Sequence, residues 1–141
     1  MTKTLTEQRN HPELLAPAGN IESFFAALEH GADAIYVGHR HHSARALAAN
    51  FTLEEIARLR EYAHGHGVKL YVALNAIVRE DELADLIGVL SGLAQIQPDG
   101  LIIQDGAVAR LCRLYFPNLT IHASTLMTVH NSAGVEQLQT M

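Results

Sequence analysis

The sequence has little of what marks secreted, membrane or duplex-binding proteins. It holds a single cysteine, so no disulfide can form within the chain, and a reducing compartment suits it. No apolar run reaches the length of a membrane span, and the polar first ten residues lack the apolar stretch of a signal peptide. The net charge of −5 argues against a broad basic surface for duplex DNA. We therefore expect a cytoplasmic protein with no membrane span.

Common catalytic motifs are also missing. The sequence contains no HExxH, GxSxG or Walker pattern, so it shows no standard protease signature. The single cysteine, Cys112, falls on the apolar stripe of a predicted helix. We interpret it as a core residue and not as a nucleophile or cluster ligand.

Five short apolar segments predict β-strands, and a helix pattern follows each one. The segments are 13–16, 34–38, 69–75, 101–105 and 120–125. Strands that alternate with helices predict right-handed crossovers and a parallel sheet. With 141 residues, 48% of them hydrophobic, the chain fits one globular domain. We predict a flexible leader over residues 1–12 and a single α/β domain over residues 13–141.

Two architectures fit five βα units. One is a complete five-stranded doubly wound sheet, and the other is the first five units of a TIM-like (βα)8 barrel, whose usual length is about 250 residues. The first βα turn, residues 17–20, has one glycine and so lacks a glycine-rich phosphate loop. The chain also ends directly after a helix pattern, as an incomplete barrel would. The pattern alone slightly favours the complete sheet, whereas these two details favour the barrel.

Polar residues gather where the predicted strands end, which is the edge where parallel sheets place their chemistry. His122 could act as an acid, a base or a ligand, or be a hydrogen-bonded residue lining a barrel. Asn75 could orient a substrate or cap the next turn. Asp105 offers a carboxylate, although an N-cap of the fourth helix is its simpler interpretation.

The loop over residues 38–45 has the most unusual composition, with three histidines and two arginines after a buried strand. Imidazoles bind transition metals, and Arg45 could bind phosphate or carboxylate through its fork of donors. Histidines this closely spaced seldom supply a tetrahedral ligand set alone, and a solvated loop is the plain alternative. We therefore favour anion binding by Arg45 and assign no metal ligand.

Several segments, in order, resemble one known family. They are 12–19, 31–38, 43–45 with 49–51, 71–75, 103–105 and 122–131. Together they are similar to the collagenase-like peptidases, which are peptidase family thirty-two of the unknown-mechanism class. The resemblance covers residues 12–141 and implies a barrel-like βα domain that is normally continued by many more residues. We therefore favour the first five units of a barrel, in an N-terminal segment.

The resemblance also implies a function. Family members were named as proteases, and several are better described as oxygen-independent hydroxylation factors. They act on tRNA, ribosomal RNA or the ubiquinone precursor, with an iron–sulfur cluster and prephenate as hydroxyl donor. The cluster's cysteines come from a later part of the family sequence, and Cys112 cannot supply four thiolates. We expect a parent enzyme that hydroxylates RNA or a ubiquinone precursor. A peptidase is the alternative, and an inactive binding or assembly module is the third possibility.

The family motifs carry site roles onto nine residues. We expect His122, Asn75 and Asp105 to be catalytic. The positions that the resemblance assigns to substrate binding are Gly19, Gly38, Arg45, Asn50, Gln104 and Ser124. Two residues depart from the family pattern, because His42 stands where an aromatic residue is usual and Leu126 stands where glutamine is usual.

The expected partners follow from these inferences. We expect RNA or a small-molecule substrate as the partner of the parent protein. We expect no cofactor within this segment. A half-barrel would also expose sheet edges, which favour association. We therefore expect a homo-oligomer, with two half-barrels placed face to face.

Overall fold

The computed structural model describes residues 12–44 and 48–140 and shows alternating strands and helices. The strands are β1 (Leu15–Ala18), β2 (Ala34–Gly38), β3 (Lys69–Leu74), β4 (Gly100–Ile103) and β5 (Ile121–Ala123). The helices are α1 (Ile21–Glu29), α2 (Leu53–Gly65), α3 (Leu83–Ile96), α4 (Gly106–Tyr115) and α5 (Ser132–Thr140), with short 3-10 turns at Glu80–Glu82 and Thr125–Met127. Apart from Pro12, the predicted leader lies outside the described residues, as does Arg45.

The five strands lie side by side in chain order, and every neighbouring pair is parallel. The prediction of a parallel α/β sheet is therefore confirmed. A doubly wound sheet reverses its strand order at a switch point, and this sheet has no reversal. The doubly wound alternative is therefore wrong. With right-handed crossovers, sequential order places all the connecting helices on one face of the sheet.

One face of the sheet forms the core beneath the helices. Its strand residues alternate with those of the opposite face, and they are almost wholly buried: Ile35, Val37, Leu70, Val72, Leu101 and Ile103. Phe24, Ile56 and Leu90 pack onto them from α1, α2 and α3 and are fully buried. Burying one such side chain contributes about 1.5–3 kcal/mol. We call this surface the covered face.

None of the helices in the described residues covers the opposite face of the sheet, which we call the open face. Strand pairing arranges its residues in rows: Pro17, Tyr36, Tyr71 and Gly100 form one row, and Gly38, Ala73, Ile102 and His122 form the next. Leu15 at its first strand is 44% exposed, and the two tyrosines are half-buried. The open face is therefore the accessible surface of the sheet.

A helix follows each strand, as the sequence predicts. Asn20 and Thr52 cap α1 and α2 with reciprocal capping boxes, and Asp105 caps α4. Cys112 is buried on the inner side of α4, as its place on the apolar stripe predicts. Among the helices in the described parts of the chain, none is long and apolar enough to cross a membrane.

Candidate functional site

A cavity of about 690 Å³ runs over the open face towards the carboxyl ends of the strands. Aromatic and apolar side chains form most of its wall, and polar groups gather at its upper end. The residues that matter for its chemistry are Tyr36, Tyr71, Asn75, Ile102, His122 and Ser124. Three of these, Asn75, His122 and Ser124, are residues that the sequence predicts to be functional.

The His122 imidazole lies exposed on the open face, in β5. It contacts the Tyr71 ring edge to face, with 5.2 Å between the ring centroids and 66° between the planes. Within residues 12–44 and 48–140 the imidazole makes no hydrogen bond, so both ring nitrogens can meet a ligand. This arrangement suits proton transfer to or from a molecule in the cavity.

Asn75 and Ser124 join three strand ends at the upper rim of the cavity. The Ala44 amide donates to Asn75 Oδ1 at 3.1 Å, and Asn75 Nδ2 donates to Ser124 Oγ at 3.4 Å. The Ser124 amide donates to the Ile103 carbonyl at 2.8 Å. Ser124 is 6% exposed. The pair is therefore held in place by the backbone and offers a rigid polar rim.

Asp105 and Gln104 lie at the end of β4 and are engaged in local contacts. The two oxygens of Asp105 accept the amides of Ala107 at 2.8 Å and Val78 at 3.0 Å. Gln104 Nε2 donates to the Leu126 carbonyl at 3.5 Å. The interpretation of Asp105 as an N-cap is confirmed, and its catalytic role stays a prediction.

Close contacts connect Gly19, Gly38 and Asn50 at the ends of β1 and β2. The Asn50 amide donates to the Gly19 carbonyl at 3.2 Å, and Asn50 is buried with a left-handed φ of 50°. A Cβ at Gly38 would lie 2.6 Å from Ser43 Oγ and closer still to Asn50 Oδ1. These residues support the upper rim, and their predicted substrate contact stays a prediction, as does that of Arg45.

The histidines of the loop after β2 form a packed cluster. His39 and His42 are both 5% exposed, and their rings stack with centroids 5.5 Å apart and planes 13° apart. His42 Nε2 lies 3.0 Å from an oxygen of Asp85. Burial, with the nearby charges of His42 and His41, lowers the pKa of His39 to about 4. No group of three metal-ligating side chains is found among the described residues.

The two departures from the family pattern occupy different environments. The imidazole of His42 is buried and stacks on His39. Leu126 is 43% exposed and lines the cavity, where it presents an apolar side chain. The first departure therefore lies in the support of the site, and the second lies in its lining.

The structure adds cavity residues that the sequence analysis did not single out. Tyr36 and Tyr71 line the cavity from neighbouring strands, and Glu13 bonds the Tyr71 hydroxyl at 3.0 Å. The signal for each tyrosine is its position between two buried aliphatic residues of its strand, as Tyr36 lies between Ile35 and Val37. Its side chain lies on the face opposite those of its neighbours.

Cys112 does not fit an iron–sulfur cluster. It is 1% exposed, and burial raises the pKa of its thiol to about 11, which keeps the thiol neutral. A cluster needs several thiolates, and the sequence holds no other cysteine. Cys112 therefore cannot hold a cluster in this fold.

The family profile described as Peptidase family U32 matches residues 19–141. The chain belongs to this family. The resemblance seen in the sequence is thereby confirmed. The solved structure of the U32 peptidase Mk0906 superposes with a TM-score of 0.74 at 14% identity, over 99% of this chain and 59% of that one. At that identity the likeness concerns the fold alone.

Curated relatives carry two kinds of name. The tRNA hydroxylation protein P1 of Bacillus subtilis is 38% identical over 125 residues, or 89% of this chain and 30% of that protein. The 23S rRNA 5-hydroxycytidine C2501 synthase of Escherichia coli is 38% identical over 86% of this chain and 18% of that protein. A collagenase of Porphyromonas gingivalis is 31% identical over 89% of this chain and 30% of its own length. The chain thus spans less than a third of each relative.

Proposed function

We propose that this chain supplies the proton-transfer and substrate-orienting surface of a cytoplasmic enzyme that hydroxylates RNA. The observation that carries the proposal is the exposed His122 imidazole in the open-face cavity, beside the fixed Asn75–Ser124 pair. Relatives named for tRNA and rRNA hydroxylation align over this same stretch. A fold alone does not determine the reaction, so the proposal depends on the residues of the site together with the similarity to these relatives.

Three residues divide the work at the site. His122 takes or gives a proton at the reacting atom, since imidazole exchanges protons near neutral pH. Asn75 lines the cavity beside it and orients the substrate by hydrogen bonding. Ser124 holds the Asn75 amide and the turn at Thr125–Met127, so it positions both without reacting. The iron–sulfur cluster that the family resemblance implies would be held by residues outside this segment.

The test is the nucleoside content of cellular RNA. A strain lacking the gene is complemented with the wild-type protein or with the His122→Gln variant, and digested tRNA and rRNA are analysed by mass spectrometry. We expect hydroxylated pyrimidines to disappear in the deletion strain, to return with the wild-type protein and not to return with His122→Gln. The matched control is His30→Gln, because His30 is exposed at the end of α1, away from the cavity.

Two results would contradict the proposal. An unchanged nucleoside profile in the deletion strain would remove RNA hydroxylation as the function. Full restoration by His122→Gln would remove His122 from the chemistry while leaving the function itself in place.

Peptide hydrolysis is the second candidate, and the similarity to the Porphyromonas gingivalis collagenase favours it. Hydrolysis by a serine nucleophile needs a general base that is hydrogen-bonded to the serine hydroxyl. Here Ser124 Oγ interacts with Asn75 and with the Leu126 amide, not with His122. Gelatin or casein cleavage by metal-free protein, lost in His122→Ala, would restore this candidate. The third possibility, a binding or assembly module, predicts neither activity.

We also infer that the sheet is part of a closed barrel. Three features support this inference. The strands are parallel and lie in sequential order, the helices lie on one face, and the open face carries small residues such as Ala73 and Gly100.

Exposed strand edges support the association of two copies, face to face. Light scattering at micromolar concentration tests the association, and a monodisperse monomer would end it.

A further inference from the structure

We propose that Tyr71 is a positioning residue that sets the direction of the His122 imidazole in the open-face cavity. This inference rests on the proposed function, because that function gives the orientation of His122 a chemical use. The geometry itself depends on three strands, β3, β4 and β5, and on a glycine between the two rings.

The two rings meet above Gly100. Tyr71 in β3 is in register with Gly100 in β4, whereas His122 in β5 is in register with Ile102, two residues further along β4. A Cβ at Gly100 would lie 2.6 Å and 2.7 Å from two atoms of the imidazole and 3.2 Å from Tyr71 Cδ1. Glycine therefore leaves the space in which the imidazole lies across the sheet and meets the Tyr71 ring.

The Tyr71 ring is itself anchored at the opposite end of the cavity. Its hydroxyl donates to Glu13 Oε1 at 3.0 Å, and Lys69 Nζ lies 2.6 Å from Glu13 Oε2. The hydrogen bond from Lys69, together with that from Tyr71, lowers the pKa of the Glu13 carboxyl against its partial burial. The carboxylate acceptor is therefore present throughout the neutral range. The hydrogen bonds from Lys69 and from Tyr71 to Glu13 hold the Tyr71 ring at its hydroxyl end.

Packing has to orient His122, because hydrogen bonding does not. Catalytic histidines are usually held by a hydrogen bond to one ring nitrogen, which also selects the tautomer. The imidazole of His122 has no such bond within the described part of the chain, and its closest ring neighbour is Tyr71. An edge-to-face contact of two rings restricts the rotation of the smaller ring. It uses no hydrogen bond to either ring nitrogen within the described residues.

The experiment observes the imidazole directly, in the intact protein labelled with ¹³C in its histidine rings. A spectrum of His122→Gln assigns the His122 resonance by its disappearance. Tyr71→Leu removes the ring, Tyr71→Phe removes only the hydroxyl that Glu13 holds, and Gly100→Ala fills the space under the imidazole. Gly88→Ala is the matched glycine control, because a Cβ there meets nothing within 4 Å.

We expect the wild-type resonance to show a ring-current displacement that Tyr71→Leu abolishes and Tyr71→Phe reduces. Gly100→Ala should move the resonance, and Gly88→Ala should leave it in place. Should Tyr71→Leu unfold the protein, Tyr71→Phe and Gly100→Ala still decide the question. A His122 resonance unchanged in both would overturn the proposal.

A neighbouring Tyr71 ring that does not orient His122 would lose the same ring current in Tyr71→Leu, but Tyr71→Phe keeps the ring and would then leave the resonance in place. The readout also separates this inference from the proposed function. RNA hydroxylation can fail as the function while the displacement persists, and the displacement can be absent in a protein that hydroxylates RNA.

Discussion

Ile102 and Ile103 are neighbours in β4, but they lie on opposite faces of the sheet. Ile103 is 2% exposed beneath the helices, whereas Ile102 is half-buried and lines the cavity. The same contrast separates Val37 from Tyr36 and Val72 from Tyr71. Each strand thus contributes to the core with one set of residues and to the candidate site with the other.

The difference lies in what each face must accommodate. The covered face receives helix side chains and is built from branched aliphatic residues that fill space. The open face mixes rings with residues of minimal size, such as Ala73 and Gly100, and the small residues give the rings room. Stability therefore depends on the first face and the candidate chemistry on the second.

The largest expected effect comes from truncating the covered face. Ile103→Ala should lower the free energy of unfolding by about 2–5 kcal/mol, because it removes a buried side chain and leaves a cavity. Ile102→Ala should cost about 1 kcal/mol or less in this 141-residue chain, because its side chain is partly exposed. Urea denaturation of the two variants measures both. Equal losses would show that the open face is covered in solution.

The next effect concerns His39, which continues the alternation of the covered face beyond β2. Its pKa of about 4 in the folded protein lies below the usual 6.5, so the unfolded chain binds the proton more tightly. Its contribution is complete above pH 6.5 and is lost as the pH falls towards 4. The loss is at most about 3 kcal/mol.

Thermal unfolding between pH 7 and pH 4 tests this contribution. His39→Gln should flatten the decline in melting temperature across that window. A decline as steep as that of the wild-type protein would place the sensitive group elsewhere.

A smaller effect separates the cap from the candidate chemistry at Asp105. Asp105→Ala should lower the free energy of unfolding by about 1–2 kcal/mol, because α4 loses its N-cap and the Val78 amide loses its acceptor. Asp105→Asn retains one acceptor and should cost less. RNA hydroxylation that survives in Asp105→Asn would leave Asp105 a structural residue, and its loss in a stable variant would make Asp105 catalytic.

The smallest effect lies on the outer helices, away from both faces. Gly88→Ala in α3 should raise the free energy of unfolding by about 1 kcal/mol, because alanine favours the helix and its Cβ meets nothing nearby. Gly92→Ala in the same helix should gain less, since its Cβ would lie 2.6 Å from Leu53 Cδ1. Chemical denaturation compares the two. An equal gain would show that Leu53 moves aside at no cost.

Local patterns allowed the elements to be predicted. The second strand was predicted with its observed bounds, Ala34–Gly38, and the first was predicted two residues early, because it begins at Leu15. Asn20, Thr52 and Asp105 are caps because their side chains reach amides two or three residues ahead, which is a matter of sequence spacing. Such interactions need no tertiary structure.

The candidate site was predictable only in part. His122, Asn75 and Ser124 are predicted by their places at strand ends, and the structure brings them to one cavity. The anchoring of Tyr71 by Glu13 joins residues 58 positions apart, and no local pattern signals such a contact. Nor does a local pattern reveal that the oxygens of Asp105 are taken by two amides, one of them 27 positions away.

The sequence by itself determined the alternation of strands and helices, the helix caps, the buried place of Cys112 and the family. These features follow from residue periodicity, from hydrogen bonds over a few residues and from ordered motifs. Only the tertiary structure decided the order of the strands and the division of the sheet into a covered and an open face. The pairing of Tyr71 with His122 above Gly100 was also decided there. Strand register sets such contacts. Register depends on packing between distant segments, so no single segment reveals it.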